Sequence, residues 1–364
     1  MEKHKLKAKI FLYNTFGFLF RFPLSLYLLR KVFIKEFGGV NSIAFHITGK
    51  CNLDCIYCNQ RNPKDNDMGF QEFCRLVDEA KKTGIREITL AGGEPFVHSQ
   101  IFEMLNYCKS KNMKVSIYTN GTLIGEDTAT RLAMIKGLSL VFKFDSPFSY
   151  EGHVGSDVYK KVSDTITLCT SKGIKSVARI NVTKKNIKHL SDIIKKSFEL
   201  GAAPVIERHM PLKNDAINQK LELNADEWQE ALKTYYEHYA GHIKVSAKSF
   251  LTYKKNQARL LGYKCFGFNS TLVIRANGDV VPCGLALDEL SVGNINREPL
   301  SATLKKYYKQ REEWRKIPEE CKSCNEAETC RGGCKAYTYL KLKCFDKKDP
   351  LCKTRFCNQE PIMP

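Results

Sequence analysis

The stretch GKCNLDCIYCN, residues 49–59, follows directly on SIAFHIT, residues 42–48, whose β-branched and aromatic residues predict a strand. Its three cysteines lie at offsets of zero, four and seven and are Cys51, Cys55 and Cys58. These offsets also fit the buried face of a helix, where free cysteine behaves as a small hydrophobe. Asn52 and Asp54 favour a loop, because their side chains bond to nearby backbone and compete with helix formation. We therefore predict a strand that leads into a cysteine-bearing loop.

Five further β-rich runs follow, separated by segments with helical periodicity. The six predicted strands are residues 42–48, 86–91, 114–119, 138–145, 176–182 and 203–209. Between the first two, residues 70–84 form an amphipathic helical pattern that ends at Gly84, a natural carboxyl-terminal cap. The apolar face of this helix comprises Phe70, Phe73, Leu76, Val77 and Ala80. Repeated strand–helix units imply a parallel sheet, so we predict an α/β fold, a partial (β/α)6 TIM-like barrel with its chemistry in the loops after the strands.

Cysteine content and charge limit the compartment and the partners. The chain of 364 residues has fifteen cysteines, and nine of them lie in residues 265–357. Their odd number and short spacings argue against a disulfide framework, which belongs to small secreted domains. We therefore expect a reducing compartment, the cytoplasm. The formal net charge of +19 favours an anionic partner, which includes acidic peptides, phosphorylated metabolites, membrane surfaces and nucleic acid.

The first 40 residues form a segment with a basic head and an apolar run. They lack an A-x-A-like cleavage site, and Arg21, Pro23 and Arg30 interrupt the run before about 20 apolar residues accumulate. Secretion is therefore disfavoured. Two interpretations stay open: a helix packed against the main domain, or an interfacial helix on anionic headgroups that would associate the protein with a membrane.

The cysteine loop after the first strand resembles that of the radical S-adenosylmethionine (SAM) superfamily. In that family three cysteines hold three irons of a [4Fe–4S] cluster, and SAM chelates the fourth iron. The resemblance implies an oxidoreductase-type enzyme that reductively cleaves SAM to methionine and a 5′-deoxyadenosyl radical, which abstracts hydrogen from a substrate. It also implies an electron donor such as flavodoxin or ferredoxin. It identifies no general base or hydrogen donor.

Further motifs of this family lie at the expected strand ends. AGGEP, residues 91–95, resembles the motif that contacts the methionyl amino group, and YTNG, residues 118–121, resembles the loop beside the ribose. The family's Ser-x-Asp after the fourth strand, which contacts the ribose, is replaced by KFDS, residues 143–146, with Asp145 as its acid. By resemblance, the SAM-binding residues are Tyr57, Gly92, Gly93, Glu94, Thr119, Asn120, Asp145, Arg179 and Asn181. Among them, Arg179 and Asn181 on the fifth predicted strand are expected to hold the methionyl carboxylate, and an ion pair of Arg179 with a nearby acid is the alternative.

The last hundred residues carry a second cysteine pattern, which resembles the SPASM extension with its two auxiliary iron–sulfur clusters. A zinc ribbon is the competing interpretation, because CxxC pairs suit tetrahedral zinc, but the seven-cysteine order and the amino-terminal triplet disfavour it. The resemblance assigns the outer cluster to Cys321, Cys324, Cys330 and Cys352, with Cys344 or Cys357 as alternatives to the last. It assigns the inner cluster to Cys265, Cys283 and Cys334, one protein ligand short of four.

The predicted cofactors are thus SAM and three iron–sulfur clusters, one radical SAM [4Fe–4S] cluster and two auxiliary ones. The predicted domains are a basic and apolar amino-terminal segment, a radical SAM core barrel, a connection and a small cysteine-rich iron–sulfur domain; their bounds are 1–40, 41–240, 241–264 and 265–364. Cys74, Cys108 and Cys169 lie on apolar helix faces and are predicted core residues.

Three functional hypotheses remain. The first is oxidative modification of a peptide or protein, and the second is oxidation or epimerisation of a small molecule such as a sugar, cyclitol or lipid precursor. The third, a non-catalytic metal-binding protein on nucleic acid, is disfavoured by the triplet with its GGE partner and by the lack of a basic-aromatic RNA motif. Sulfatase maturases carry an acid directly after the cysteine matching Cys283, where this chain has Gly284, so that activity is disfavoured.

Overall fold

The computed structural model describes residues 39–353, except 56–57, 59–66, 146–154, 213–215, 243–266 and 326. Most of the predicted segment 1–40 and of the connection 241–264 lies outside these residues, as do Tyr57, Cys265 and Cys357. Within the described part of the chain, no helix is long and apolar enough to cross a membrane.

The described residues form one sheet of nine strands. The strands are β1 (Ser42–Thr48), β2 (Glu87–Gly92), β3 (Lys114–Thr119), β4 (Leu138–Lys143), β5 (Lys175–Val182), β6 (Ala203–Arg208), β7 (Thr271–Ile274), β8 (Asp279–Val281) and β9 (Gly293–Asn294). Their order is β6-β5-β4-β3-β2-β1-β7-β8-β9, and β1 to β7 all pair in parallel. The six strands predicted from the sequence correspond to β1–β6, and the predicted α/β fold with a parallel sheet is confirmed.

Helices connect the parallel strands. Among the described residues they are α1 (Phe70–Lys82), α2 (Ile101–Ser110), α3 (Glu126–Ala133), α4 (Gly155–Ser171), α5 (Leu190–Glu199), α6 (Ala216–Leu221), α7 (Ala225–His242), α8 (Leu300–Trp314), α9 (Ala327–Cys330) and α10 (Lys335–Leu342). Helices α1 to α5 each follow one strand and precede the next, as parallel neighbours require. The carboxyl ends of these strands, and the loops that follow them, therefore lie at one edge of the sheet.

The hydrophobic core lies between the helices and one face of the sheet. On β1, Ile43, Phe45 and Ile47 are fully buried, while the residues between them are less buried. The rings of Phe45 and Phe73 of α1 meet edge to face at 5.3 Å between centroids. Alternate residues of β1 and every third or fourth residue of α1 thus face the same core. Each such buried side chain contributes roughly 1.5–3 kcal/mol to the free energy of folding.

The opposite face of the sheet, called the inner face below, carries the alternate residues of the strands. Tyr118 on β3, Val141 on β4 and Val177 on β5 are register neighbours on this face. One step towards the carboxyl edge, Lys143 is paired in register with Arg179. These positions are less buried than their neighbours in sequence, which shows that the helices cover only the other face.

Strands β7 to β9 were not predicted from the sequence. Strand β7 pairs in parallel with β1, and Ser42 Oγ and Thr271 Oγ1 form a hydrogen bond of 2.7 Å. Strands β8 and β9 then continue the sheet in antiparallel pairing. The carboxyl-terminal region therefore pairs directly with the first strand, and β1 is an interior strand of the sheet.

Candidate cofactor and iron–sulfur site

The loop after β1 carries the cysteine triplet at the carboxyl edge of the sheet. The Cys58 N–H donates to the Cys55 carbonyl oxygen at 3.0 Å, and the Leu53 N–H donates to Cys51 Sγ at 3.4 Å. Burial, followed by the neighbouring Cys58 thiol, raises the pKa of Cys55 to about 12. Burial also raises the pKa of Cys51. Loss of the proton is therefore unfavourable for these buried thiols. Coordination to iron compensates for this, because a metal-bound thiol is deprotonated, so this donor set fits an iron–sulfur cluster.

The two glycines of the GGE motif pack directly against the backbone of the cysteine loop. The Gly93 N–H donates to the Thr48 carbonyl oxygen at 2.9 Å, and the Glu94 N–H donates to the Lys50 carbonyl oxygen at 2.9 Å. A Cβ atom on Gly92, which has φ of 129°, would lie 2.2 Å from the Thr48 oxygen. A Cβ atom on Gly93 would lie 2.1 Å from the Lys50 oxygen. Only glycine permits this approach without moving one of the loops.

We expect Gly93→Ala to weaken SAM binding by at least about tenfold, the equivalent of about 1.4 kcal/mol, because the methyl group displaces the cysteine loop. Isothermal titration calorimetry of the anaerobically reconstituted protein measures this. Gly125→Ala is the matched control: a Cβ atom there meets nothing within 4 Å. Equal affinities of the two variants would show that the contact between the loops does not support the cofactor site.

Glu94 is completely buried behind the cysteine loop. Its carboxylate accepts hydrogen bonds from the Phe96 N–H at 3.1 Å, the Thr119 hydroxyl at 2.8 Å and the Asn120 N–H at 2.7 Å. Burial raises the pKa of Glu94 to about 7, although these three bonds act in the opposite direction. The residue therefore ties the loop after β2 to the end of β3.

Asn120 connects the third-strand loop to the cysteine loop. Its Nδ2 atom donates to Asn52 Oδ1 at 2.9 Å and lies 3.8 Å from Cys51 Sγ. Its Oδ1 atom accepts from the Thr122 N–H at 2.9 Å. Four of the residues predicted to bind SAM (Gly92, Gly93, Glu94 and Asn120) thus lie in one hydrogen-bonded unit with the cysteine loop, and Thr119 joins it through Glu94.

Asp145 and Asn181 lie at the ends of β4 and β5. Asp145 Oδ1 accepts the Asn181 N–H at 2.9 Å, and Asp145 Oδ2 lies 3.1 Å from Lys143 Nζ. The Asn181 side chain lies 3.4 Å from His209 Nδ1. This carboxylate therefore links two strand ends, a role that the sequence did not indicate, and its predicted contact with the ribose stays a prediction.

Arg179 forms an ion pair on the inner face. Its Nε donates to Glu207 Oε2 at 2.7 Å, and its guanidinium lies 5.0 Å from the centroid of the Tyr118 ring. The structure therefore has the alternative predicted for Arg179, an ion pair with an acid. The predicted contact of Arg179 with the methionyl carboxylate would require this pair to share or release the guanidinium.

Two carboxyl-terminal thiols predicted for the inner cluster, Cys283 and Cys334, interact with each other. Burial raises the pKa of Cys283 to about 12, and Cys334 is the next largest influence. Burial also raises the pKa of Cys334, although the Tyr337 and Ala336 N–H groups donate to its sulfur. The charges of Glu207 and Arg179 act on Cys283 as well, so this pair lies near the inner face.

The four thiols predicted for the outer cluster form a second group. Burial raises the pKa of Cys330 to about 12, followed by the nearby Cys352, while the N–H groups of Gly332 and Gly333 donate to its sulfur. The electrostatic neighbours of Cys352 include Cys321 and Cys324. Cys344 instead interacts with Asp346, and the assignment of Cys352 to the outer cluster stays a prediction.

The other described thiols lie elsewhere. Cys108 and Cys169 are fully buried in the core, and Cys74 is partly buried. Within the described residues, no three His, Cys, Asp or Glu side chains converge on a position for a single metal ion. The grouped cysteines supply an all-thiol donor set, which is the kind that iron–sulfur clusters use.

Sequence reasoning missed one polar residue of the inner face, on β1. His46 alternates with the buried Phe45 and Ile47 and so lies on the inner face, a position that the period of β1 indicates. Burial, followed by the charges of Arg275 and Arg179, lowers the pKa of His46 to about 4. A Cβ atom on Gly284 would lie 3.8 Å from His46 Nε2. The absence of an acid at residue 284 therefore leaves space directly beside this imidazole.

Comparison with known proteins decides the family. Residues 45–196 match the sequence model of the radical SAM superfamily, and residues 265–325 match that of SPASM, an iron–sulfur cluster-binding domain. The chain belongs to the radical SAM superfamily. It is a radical SAM enzyme with a SPASM extension, and its cofactors are SAM and iron–sulfur clusters. Reductive cleavage of SAM to the 5′-deoxyadenosyl radical, which abstracts hydrogen from a substrate, follows from the family.

Curated relatives of this radical SAM/SPASM enzyme differ in substrate. It is 24% identical over 337 residues to the AdoMet-dependent heme synthase of Nitratidesulfovibrio vulgaris, a match that covers 85% of this chain and 91% of that one. It is 27% identical over 269 residues to the antilisterial bacteriocin subtilosin biosynthesis protein AlbA of Bacillus subtilis, with 72% and 58% covered.

Solved structures share the fold of the radical SAM/SPASM enzyme. Native anSMEcpe with bound AdoMet has a TM-score of 0.70 at 20% identity and covers 87% of this chain and 95% of its own. Streptococcus suis SuiB bound to its precursor peptide SuiA has a TM-score of 0.66 at 19% identity, with 93% and 82% covered. The partial barrel predicted from the sequence agrees with these folds.

Proposed function

We propose that this radical SAM/SPASM enzyme oxidatively modifies a peptide or protein substrate that lies on the inner face. The observation that carries the proposal is a group of exposed side chains on that face, Tyr118 and Val205, next to the Arg179–Glu207 ion pair. Tyr118 and Val205 expose 38% and 43% of their surface there, although both are strand residues. The Arg179–Glu207 pair lies beside Tyr118, and its charges also act on Cys283.

An open sheet face with large apolar side chains suits an amino-acid side chain of a substrate. Tyr118 and Val205 offer apolar contact, and the neighbouring ion pair offers hydrogen bonds to a peptide group. This combination of apolar lining with a few polar groups is typical of ligand sites. SuiB has been crystallised with its precursor peptide and AlbA is a biosynthesis protein of a bacteriocin, which supports a peptide substrate for this chain.

The residues around the cysteine loop are proposed to hold SAM. Cys51, Cys55 and Cys58 would bind the cluster, which together with SAM supplies the 5′-deoxyadenosyl radical. The Glu94 carboxylate lies behind this loop, where it attracts an amino group and fixes the loops after β2 and β3. Asn120 would offer its amide to the cofactor from the same unit, close to Cys51. The hydrogen bonds of Glu94 and Asn120 keep this arrangement rigid before the cofactor binds.

The auxiliary sites complete the proposal. Cys321, Cys324, Cys330 and Cys352 would hold the outer cluster, and Cys265, Cys283 and Cys334 the inner one. Residues 41–240 and 265–364 would act as the core barrel and the auxiliary-cluster domain, with β7 of the latter paired to β1 of the former. A flavodoxin or ferredoxin in the cytoplasm would supply the electron, and residues 1–40 would provide contact with an anionic membrane.

Iron analysis tests the number of clusters. We expect anaerobically purified protein to be brown and to contain on the order of 12 irons per chain, as three [4Fe–4S] clusters require. Stoichiometric zinc without charge-transfer absorption would instead support the zinc-ribbon interpretation. The test needs only colorimetric iron determination and an absorption spectrum.

The substrate is tested by supplying the reduced enzyme and SAM with small peptides encoded beside its gene. Mass spectrometry of the peptide, with 5′-deoxyadenosine measured in parallel, is expected to show a peptide product that requires Cys51, Cys55 and Cys58. A small molecule is the second candidate substrate. The match to the heme synthase, whose product is a small molecule, covers most of this chain and most of that enzyme. Stimulation of 5′-deoxyadenosine formation by a metabolite, with every peptide unchanged, would favour that candidate.

A further inference from the structure

A buried ion pair joins the end of the barrel sheet to the inner-cluster cysteines. Arg208, the last residue of β6, has its Nη1 atom 2.9 Å from Asp349 Oδ1 and 2.8 Å from Asp349 Oδ2. The two side chains are only 11% and 4% exposed. Arg208 also lies against the rings of Trp228 and Tyr337, each 5.2 Å from the guanidinium. Both charges are therefore held in fixed positions in a poorly hydrated environment.

Asp349 also contacts the backbone of both cysteine groups. Its Oδ2 atom accepts the Cys334 N–H at 2.9 Å, and its Oδ1 atom accepts the Leu351 N–H at 3.0 Å. Its carbonyl oxygen accepts the Cys352 N–H at 2.8 Å. This residue thus lies between a proposed inner ligand and a proposed outer ligand.

The two charges act on the Cys334 sulfur in opposite directions. Arg208 Nη1 lies 2.9 and 2.8 Å from the two Asp349 carboxylate oxygens, and Asp349 Oδ2 accepts the Cys334 N–H at 2.9 Å, so both charges lie beside this cysteine. The positive charge therefore stabilises negative charge at this sulfur, and the carboxylate disfavours it. In a buried site with low effective dielectric such effects are much larger than at a surface.

We propose that the Arg208–Asp349 pair sets the reduction potential of the inner auxiliary cluster. A reduced cluster carries one more negative charge than the oxidised one, so a nearby guanidinium favours reduction and a nearby carboxylate opposes it. Arg208 directly follows Glu207, the partner of Arg179 on the inner face. Because successive strand residues alternate between the two faces, Arg208 lies on the face opposite to Glu207, next to the register position of the buried Val182. This inference rests on the proposal that Cys334 is a cluster ligand.

A purely structural role for the pair makes a different prediction. If Asp349 serves only to order the loop before Cys352, removing either charge disturbs the same loop. The cluster potential then moves in the same direction in the Arg208 and the Asp349 variants, or iron is lost. Electrostatic control instead demands shifts of opposite sign. The two roles are therefore separable by one measurement on two variants.

The experiment uses the full chain in which Cys51, Cys55 and Cys58 are alanine, so that only auxiliary clusters contribute, and follows a redox titration by electron paramagnetic resonance. Arg208→Met, which can still pack between the two rings, is expected to lower the reduced-to-oxidised ratio at a fixed potential at least tenfold, a 59 mV shift for a one-electron couple. Asp349→Asn is expected to raise it by a similar factor. Arg208→Lys, which retains the charge, is expected to change it less than threefold.

Shifts of the same sign, or an unchanged potential in Arg208→Met with full iron content, would overturn the proposal. If Asp349→Asn loses iron, the comparison of Arg208→Met with Arg208→Lys decides, because these two variants differ in charge and keep the carboxylate. Loss of iron in both arginine variants would show that the pair is structural, which also overturns the proposal. Absence of any auxiliary cluster in the parent protein would instead contradict the ligand assignment itself.

Discussion

Replacing Cys51, Cys55 and Cys58 together with alanine is expected to abolish 5′-deoxyadenosine formation, a loss on the order of 1,000-fold or more. The three thiols are the proposed ligands of the cluster that SAM binds, and their loop is also held by the Glu94 N–H bond to the Lys50 carbonyl oxygen and by the Asn120 bond to Asn52. The loop should therefore fold, and the auxiliary iron should persist. Chromatographic detection of 5′-deoxyadenosine, with iron content measured on the same sample, checks both parts.

Cys74→Ser is the control for the triple variant. Cys74 is a partly buried thiol on α1 and lies away from the proposed clusters, so its replacement should leave cleavage intact. Cleavage of SAM by the triple variant at the rate of the unmodified enzyme would place the radical cluster elsewhere in the chain. Loss of all iron would show instead that the sites depend on each other.

Replacing Cys334 with alanine is expected to reduce product formation by on the order of 100-fold while leaving 5′-deoxyadenosine formation within about tenfold of the unmodified enzyme. Cys334 interacts with Cys283 near the inner face, whereas SAM is proposed to bind at the separate cysteine loop. Loss of this thiol therefore damages the auxiliary site and leaves the cleavage site intact. Both quantities come from a single time course analysed by mass spectrometry.

Cys344→Ala is the matched variant, because this thiol lies in the same region but interacts with Asp346 rather than with another cysteine. It should retain full product yield. Unchanged product in Cys334→Ala would remove the auxiliary site from the reaction. A structure with a fourth protein ligand at the inner cluster would contradict the open iron that the sequence predicts there.

Much of the fold is readable from the sequence because its signals are local. The strands β1 to β6 combine a buried and a less buried face with a period of two, and α1 repeats apolar residues with a period of 3.6 before Gly84. Strands β7 to β9 carry no such signal, because runs of four, three and two residues are too short to show a period. The place of β7 depends on pairing with β1, 229 residues earlier, and β8 and β9 then extend the sheet from β7.

The candidate site divides in the same way. The cysteine groups are predictable, because ligands from one loop have fixed spacings, and the glycines of AGGEP are readable as positions of close approach. Arg179 left two interpretations open from sequence, since its partner Glu207 is 28 residues away. The Arg208–Asp349 pair spans 141 residues and gave no signal at all. Ion pairs between distant residues are set by tertiary packing, which no local pattern encodes.

The pairing of β1 with β7 has a consequence for biosynthesis. Roughly 220 residues separate the two strands, so at about 5–20 residues per second a ribosome needs roughly 10–45 s to make the second after the first. During that interval one side of β1 presents unpaired N–H and C=O groups, which is a template for aggregation. The cysteine loop directly follows β1 and stays next to this open edge until β7 has been made. The cysteine loop is therefore available to the cellular iron-delivery proteins while the chain is still attached to the ribosome.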